Sequence, residues 1–289
     1  YPAAAFMATN GGFDGIQVSL QALLMPGSVV AIEDPTTARL LDILDNLGAH
    51  VVPVRCDEDG PMADSLAVAL KQKPAAFIYQ PRTHAISSHS VSATRLQALA
   101  QVLENTETLI VEDDGVGEVS SQPAMSLGSH YPDRTIHITS YSKSLGPDLR
   151  LAVLSSSQEI VEQIQAYRNF GASWSSRVLQ DAVAWLLKDP ASIAAVAHAR
   201  NVYAERRQTL LHALQTRGIQ VPGRDGLSAW INVPSEQFAL VTLAVRGFAV
   251  FPGARFSLQS SSHIRVCTSL PIQDVEALAD GIALCMDAI

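Results

Sequence analysis

The chain has 289 residues, 47% of them hydrophobic and 17% charged, with a formal net charge of -8. That balance excludes a disordered chain, and an acidic chain without a Lys/Arg run is a poor direct partner for nucleic acid. The length suits one large α/β domain, or a large and a small one, and no apolar stretch reaches membrane-spanning length.

In chain order, Ala4-Ala5-Phe6-Met7-Ala8 reads as a strand, so close to the non-methionine start at Tyr1 that further N-terminal sequence is expected. Thr9-Asn10-Gly11-Gly12-Phe13-Asp14-Gly15 leads into a helix through Ile16, Val18, Leu20, Leu23 and Leu24, ended by Pro26-Gly27. Glycines at a strand-to-helix junction let backbone N–H groups approach an anion, and the helix N-terminus favours negative charge. An ordinary tight turn looks the same, and the run is not G-x-G-x-x-G. Val29 to Glu33 reads as a buried strand closed by Glu33-Asp34-Pro35-Thr36-Thr37. A helix from Ala38 to Leu47, a strand at His50 to Val54, a polar turn at Asp57 to Gly60 and an Ala/Leu-rich helix follow.

Ala75 to Tyr79 is another strand, ended by Gln80-Pro81; a loop rich in serine and histidine then runs to a helix starting near Ser92. Leu109-Ile110-Val111-Glu112-Asp113-Asp114 is an apolar strand that ends in three carboxylates, and buried acids need partners, so one of them is expected to face a cation. The strand Thr135-Ile136-His137-Ile138 would deliver Lys143 at its C-terminal end, where open α/β sheets place ligands. Lysine forms Schiff bases with aldehydes, and burial would make it a nucleophile or base. Ser140, Ser142 and Arg150 nearby suit a phosphate dianion. Aldehyde plus phosphate points to pyridoxal phosphate.

A strand at Leu151 to Leu154 and a helix from Gln158 to Phe170 complete a pattern that implies a mostly parallel sheet covered by helices. From about residue 191 the texture changes to a long helix, Ile193 to Thr216. Three short strands follow, Ser228 to Val233, Ala249 to Phe251 and His263 to Cys267, and the helix after Pro271 ends the chain. The division is residues 1–190 as the large domain and 191–289 as a small α+β domain. Cys56, Cys267 and Cys285 lack metal-ligand spacing and the histidines are scattered, so no metal is expected; an odd number of widely spaced cysteines suits a reducing cytoplasm.

The order Thr9-Asn10-Gly11-Gly12, Glu33-Asp34-Pro35, Val111-Glu112-Asp113-Asp114, Ser140-x-x-Lys143, Arg150 and finally Arg265 resembles fold-type I pyridoxal-phosphate proteins. Within them it is most similar to the aminotransferase-like domain of MocR-type (GntR-family) transcription regulators. The resemblance implies that Lys143 holds the cofactor as a Schiff base and that Asp113 faces the pyridine nitrogen. Ser140, Ser142, Arg150 and the N–H groups near Gly11 and Gly12 would bind the phosphate, and Arg265 a substrate or effector carboxylate. It implies a homodimer whose effector is a small carboxylate or a B6 vitamer, and DNA binding only through a domain outside these residues.

The chain departs from the resemblance at the ring contacts. Thr37 stands where an aromatic is expected, Ala85-Ile86-Ser87-Ser88 where Asn-Pro-Thr-Gly is, and Gly115 or Val116 where a tyrosine is; His84 could fill part of the gap. Those losses favour a sensor over the alternative, a divergent aminotransferase acting on an amino acid and a 2-oxo acid. Ser140-x-x-Lys143 also matches the nucleophile motif of penicillin-recognising acyl transferases, but its Ser-Asp-Asn and Lys-Thr-Gly partners do not occur.

Overall fold

In the computed structural model, which describes residues 1–286, the apolar runs of the first two thirds form one eight-stranded sheet. Strand β1 (Ala5–Thr9) feeds helix α1 (Gly12–Leu23), and β2 (Val29–Asp34) feeds α2 (Ala38–Leu47). β3 (His50–Asp57) turns back through β4 (Gly60–Pro61) into α3 (Ala63–Leu70). β5 (Ala76–Tyr79) precedes the long loop and α4 (Ala93–Leu103); β6 (Leu109–Asp114), β7 (Thr135–Ser140) and β8 (Ala152–Ser156) then lead to α5 (Gln158–Arg168). The order across the sheet is β1-β8-β7-β6-β5-β2-β3-β4. β3, β2, β5, β6 and β7 are parallel, while β8 runs antiparallel to both β7 and β1.

The central strands are buried on both faces, which is why they read as continuous apolar runs rather than alternating ones. Successive residues serve opposite layers. Val30 and Ile32 join Leu20 of α1, Leu44 of α2 and Ile164 of α5, whereas Ala31 and Phe77 join Leu66 of α3 and Leu99 of α4. Local chemistry sets the helix ends: Ser92 Oγ caps α4 by accepting from Arg95 N at 3.1 Å, and Gly48 ends α2 in the left-handed region at φ 68°.

After α5 come α6 (Arg177–Leu186) and the 26-residue α7 (Pro190–Gln215), which Asp189 caps by accepting from Ser192 N at 2.8 Å. Then follow β9 (Ser228–Asn232), α8 (Glu236–Val245), β10 (Phe251–Pro252), β11 (His263–Cys267) and α9 (Val275–Met286). These three strands form an antiparallel sheet in the order β10-β11-β9, over a core of its own that includes Leu214, Ile231, Leu243, Ile264 and Ile282. Two helices differ from the sequence expectation. The α8 segment is rich in β-branched and aromatic residues that do not announce a helix, and α6 exposes Val178 and Trp185, blurring its helical period. The expected strand at Ala249 to Phe251 contracts to Phe251–Pro252 at the sheet's edge.

Candidate functional site

Parallel strands β5, β6 and β7 end side by side, with Tyr79 opposite Glu112 and Asp113 opposite Ile138. Gln80, Asp113 and Ser140 therefore arrive at one edge of the sheet, at the carboxyl ends of its strands. Partners sort the three carboxylates of β6. Glu112 accepts from the Tyr79 hydroxyl, Ser126 Oγ and Leu127 N, each at 2.6 Å, and pairs with His137 Nδ1 at 2.7 Å. Asp114 pairs with Arg82 Nη2 at 2.9 Å. Asp113 pairs with no cation among the described residues; its Oδ2 accepts from Gln80 Nε2 at 2.6 Å. Burial, reinforced by the charges of Asp114 and Glu33, pushes its carboxyl up to about 6. Of the three, Asp113 is the one without a cationic partner among the described residues.

Gly11 and Gly12 bring the start of α1 against this edge. A β-carbon at Gly12 would lie 3.3 Å from Ser140 Cβ and 3.7 Å from Asp113 Oδ1. At Gly11, where φ is 99° and an L side chain would be strained, it would lie 2.5 Å from Arg150 Nη2 and would push the guanidinium aside. Arg150 itself adopts a left-handed backbone, φ 43°, and donates from Nη2 to Asn10 O at 3.2 Å. Ser142 Oγ is buried without a partner, and its backbone N–H reaches Ser140 Oγ at 3.4 Å. A helix N-terminus, a guanidinium and the Ser140 side chain thus meet, as a phosphate site would need.

Gly115, one of the departures, has a local reason: a β-carbon there would come within 3.1 Å of Asp113 Oδ1. Lys143 lies on the turn that leaves β7, closed by Leu145 N donating to Tyr141 O at 2.9 Å. The burial expected of it is not met within this chain; the turn carries Lys143 past the strand end and leaves it exposed. Arg265, on β11, sits opposite Trp230 on one side and Phe251 on the other. Its guanidinium lies 5.6 Å from the ring centres of Phe251 and Phe256, and its Nε is buried without a partner.

The long loop after β5 holds what the sequence did not reveal. The fold gathers two of the histidines expected to be scattered: His84 and His89 stack at 4.5 Å, and Ser87 Oγ lies 2.8 Å from each Nδ1. Buried Glu33 pairs with His89 Nε2 at 2.9 Å and accepts from Gln80 N at 2.7 Å. The density of Ser and His after Gln80-Pro81 was the available signal. Glu33, Cys56 and His89 have ligand-type atoms within 4.8 Å of one another. Burial, however, pushes the Cys56 thiol well above its ordinary range, away from the thiolate that would ligate a metal, and both oxygens of Glu33 already accept hydrogen bonds, from His89 Nε2 and Gln80 N.

Pyridoxal phosphate fits this donor set at its two ends, the Asp113 carboxylate and the Gly11–Arg150 cradle. The ring face differs: Thr37 begins α2 without a side-chain cap bond, and Ala85 donates its backbone N–H to Gln80 Oε1 at 2.7 Å.

The sequence model for aminotransferase class I and II matches residues 2–282. The vitamin B6 salvage pathway transcriptional repressor PtsJ of Salmonella typhimurium is 34% identical over 278 residues, which cover 95% of this chain and 65% of the repressor. The HTH-type transcriptional regulator TauR of Rhodobacter capsulatus is 30% identical over 260 residues, covering 86% of this chain and 53% of the regulator. The chain thus spans less than two thirds of either relative. Among solved structures, the kynurenine aminotransferase of Pyrococcus horikoshii superposes with a TM-score of 0.87 at 20% identity, over 98% of this chain and 76% of that enzyme. At that identity the likeness concerns the fold.

Proposed function

The chain belongs to the aminotransferase class I and II family, and on that footing we propose that it is the pyridoxal-phosphate-binding, effector-sensing and dimerisation domain of a MocR-type transcription regulator responsive to vitamin B6. The observation that carries the proposal is the pairing of a buried, cation-free carboxylate and an anion cradle with a rebuilt ring face. Asp113 is a buried carboxylate without a cationic partner among the described residues, beside an anion cradle where Gly11 and Gly12 let the backbone approach Arg150 and Ser140 closely. The expected asparagine position is Ala85, in a loop held by its own hydrogen bonds.

Bound pyridoxal phosphate supplies an aldehyde for an amine and a ring that withdraws electrons when its nitrogen is protonated. The chain's own groups divide the binding. Lys143 provides the amine, Asp113 holds the proton at the ring nitrogen, and Ser140, Ser142, Arg150 and the N–H groups of Gly11 and Gly12 take the phosphate. Arg265 meets an effector carboxylate. Exposed Phe170, Trp174 and Trp185 are large apolar side chains that a second copy would cover, in keeping with a homodimer. DNA binding is assigned to a domain outside these residues, in keeping with the transcription regulators, among them the HTH-type TauR, of which the chain spans only part. No helix among the described residues is long and apolar enough to cross a membrane, and a cytoplasmic setting follows from the regulatory role.

The test is direct. Mixed with pyridoxal phosphate, the protein develops a visible absorption band, and borohydride fixes the cofactor's mass on the peptide containing Lys143. Label elsewhere removes Lys143 from the site. Steady conversion of an amino acid with 2-oxoglutarate at enzyme-like rates would favour the aminotransferase alternative instead.

A further inference from the structure

Gln80 is buried just past the end of β5, and both polar ends of its side chain are committed. Its Oε1 accepts from Ala85 N at 2.7 Å, and its Nε2 donates to Asp113 Oδ2 at 2.6 Å. The N–H of Ala85 needs an oxygen opposite it, so the amide can point only one way, with its nitrogen on Asp113. The backbone is pinned as well, because Gln80 N donates to Glu33 Oε2 at 2.7 Å. The donor is thus held in place from two sides by the fold itself.

The two oxygens of Asp113 have different surroundings. Oδ2 is taken by Gln80, whereas Oδ1 accepts from no donor among the described residues and lies toward the start of α1, where a β-carbon at Gly12 would come within 3.7 Å of it. Burial raises the carboxyl, and the Gln80 hydrogen bond works against that rise. Of the charged groups around it, Asp114 on the same strand and Glu33 on β2 raise it further and His137 on β7 lowers it; the start of α1 and the residue after Asp114 present glycine. Among the described residues, Gln80 is the neutral side-chain donor that favours the ionised form.

We propose that Gln80 is a positioning residue for the ring-nitrogen site: by holding Oδ2 it presents Oδ1 of an ionised Asp113 to the pyridine nitrogen of the cofactor. This rests on the pyridoxal-phosphate reading above and deepens it, since it names the group that keeps the acid end of the site ready for a cation. Gln80 acts through Asp113 and not on the cofactor itself.

Spectroscopic titration of the full chain with pyridoxal phosphate from pH 5 to 9 tests this role. In the wild type, affinity should fall as the pH drops through about 6, because a protonated Asp113 offers no charge to the ring nitrogen. Gln80→Met, similar in size but without a donor, should move that fall upward by about one to two pH units, the equivalent of one hydrogen bond to a charged group. Affinity at pH 7 then drops by up to about tenfold, and the gap closes toward pH 9. The cofactor's own titrations are common to both proteins and cancel in the ratio. In an Asp113→Asn background the same substitution should leave the pH profile unchanged. Urea unfolding of the cofactor-free protein gives a second readout: the pH above which Asp113→Asn becomes the more stable partner should rise by the same amount once Gln80 is replaced. A merely structural role predicts an equal loss at every pH, with or without Asp113; that result, or a Gln80→Met profile that coincides with the wild type, overturns the proposal. If Gln80→Met does not fold, Gln80→Asn, which draws the amide back by one methylene, is read in the same way. Failure of the cofactor reading looks different: a wild type that takes up no cofactor at any pH defeats that reading and this role with it, even where the unfolding shift persists.

Discussion

Replacing Asp113 by Asn should push the cofactor-free protein and its complex in opposite directions. In the free protein burial holds the Asp113 carboxyl at about 6 instead of 3.8, so ionising it in the folded state costs roughly 3 kcal/mol more than in the unfolded chain. The sign follows from the raised value. The group's contribution to stability is fully present below 3.8 and is lost as the pH climbs through about 6. Asp113→Asn should therefore match the wild type near pH 4 and exceed it above pH 6, by up to ~3 kcal/mol. Asn keeps an oxygen to accept from Gln80 Nε2. With pyridoxal phosphate bound the order reverses, because loss of one member of a buried charge pair costs on the order of 3–5 kcal/mol, a fall in affinity of at least a hundredfold. Urea unfolding from pH 4 to 8 measures the first effect, and spectroscopic titration with the cofactor the second. An Asn variant that gains no stability above pH 6, or that binds pyridoxal phosphate as tightly as the wild type, refutes the assignment of Asp113 to the ring nitrogen.

Gly11→Ala should lower cofactor affinity and cost about 1–3 kcal/mol of stability, since a β-carbon at φ 99° is strained and would strike Arg150 Nη2; urea unfolding and cofactor titration read both effects. Glu112→Gln should destabilise the fold by about 3 kcal/mol at pH 6, because it removes the charge opposite His137 from a fully buried group. Burial opposes the charged His137 ring, but Glu112 raises its pKa above 6.5, so the charge pair is fully present below 6.5 and is lost as pH rises through the raised value. The gap between Glu112→Gln and wild type should accordingly narrow toward pH 9, and a constant gap would show that the two groups are not coupled.

Much of the large sheet was legible because its strands are buried on both faces and spell themselves as apolar runs ending in Gly, Pro or charge. Val29 to Asp34 and Leu109 to Asp114 lie where those runs place them. The meeting of Gly11 with Arg150 and of Gly12 with Ser140, the grouping proposed as the phosphate anchor, was legible because these residues flank strand ends. What escaped depends on distance along the chain. Glu33 and Asp113 sit on β2 and β6 and Gln80 just past the end of β5, and only the register of the sheet makes Gln80 the partner of Asp113 rather than Arg82. Helix α8 escaped because its composition suits a strand as well as a helix. The exposure of Lys143 could not be read either, since strand-end position does not say how far the following turn projects.

The departures at the ring contacts acquire a physical sense once the loop after β5 is in place. Ala85 and Ile86 lend their carbonyls to Ser228, and Ser88 returns a hydroxyl to the same residue. Gly223 meets the loop so closely that a β-carbon there would fall 2.7 Å from Ser87 O. Residues standing where a catalyst would place cofactor contacts thus fasten the ligand edge of the large sheet to the small sheet. Turnover asks a site to stabilise a succession of charge distributions on one cofactor, and needs donors at its ring oxygen. A sensor asks only that occupancy be felt elsewhere, through elements that both the ligand and the rest of the protein touch. The loop that runs from Gln80, bonded to Asp113 on one sheet, to Ser88, bonded to Ser228 on the other, supplies such a connection.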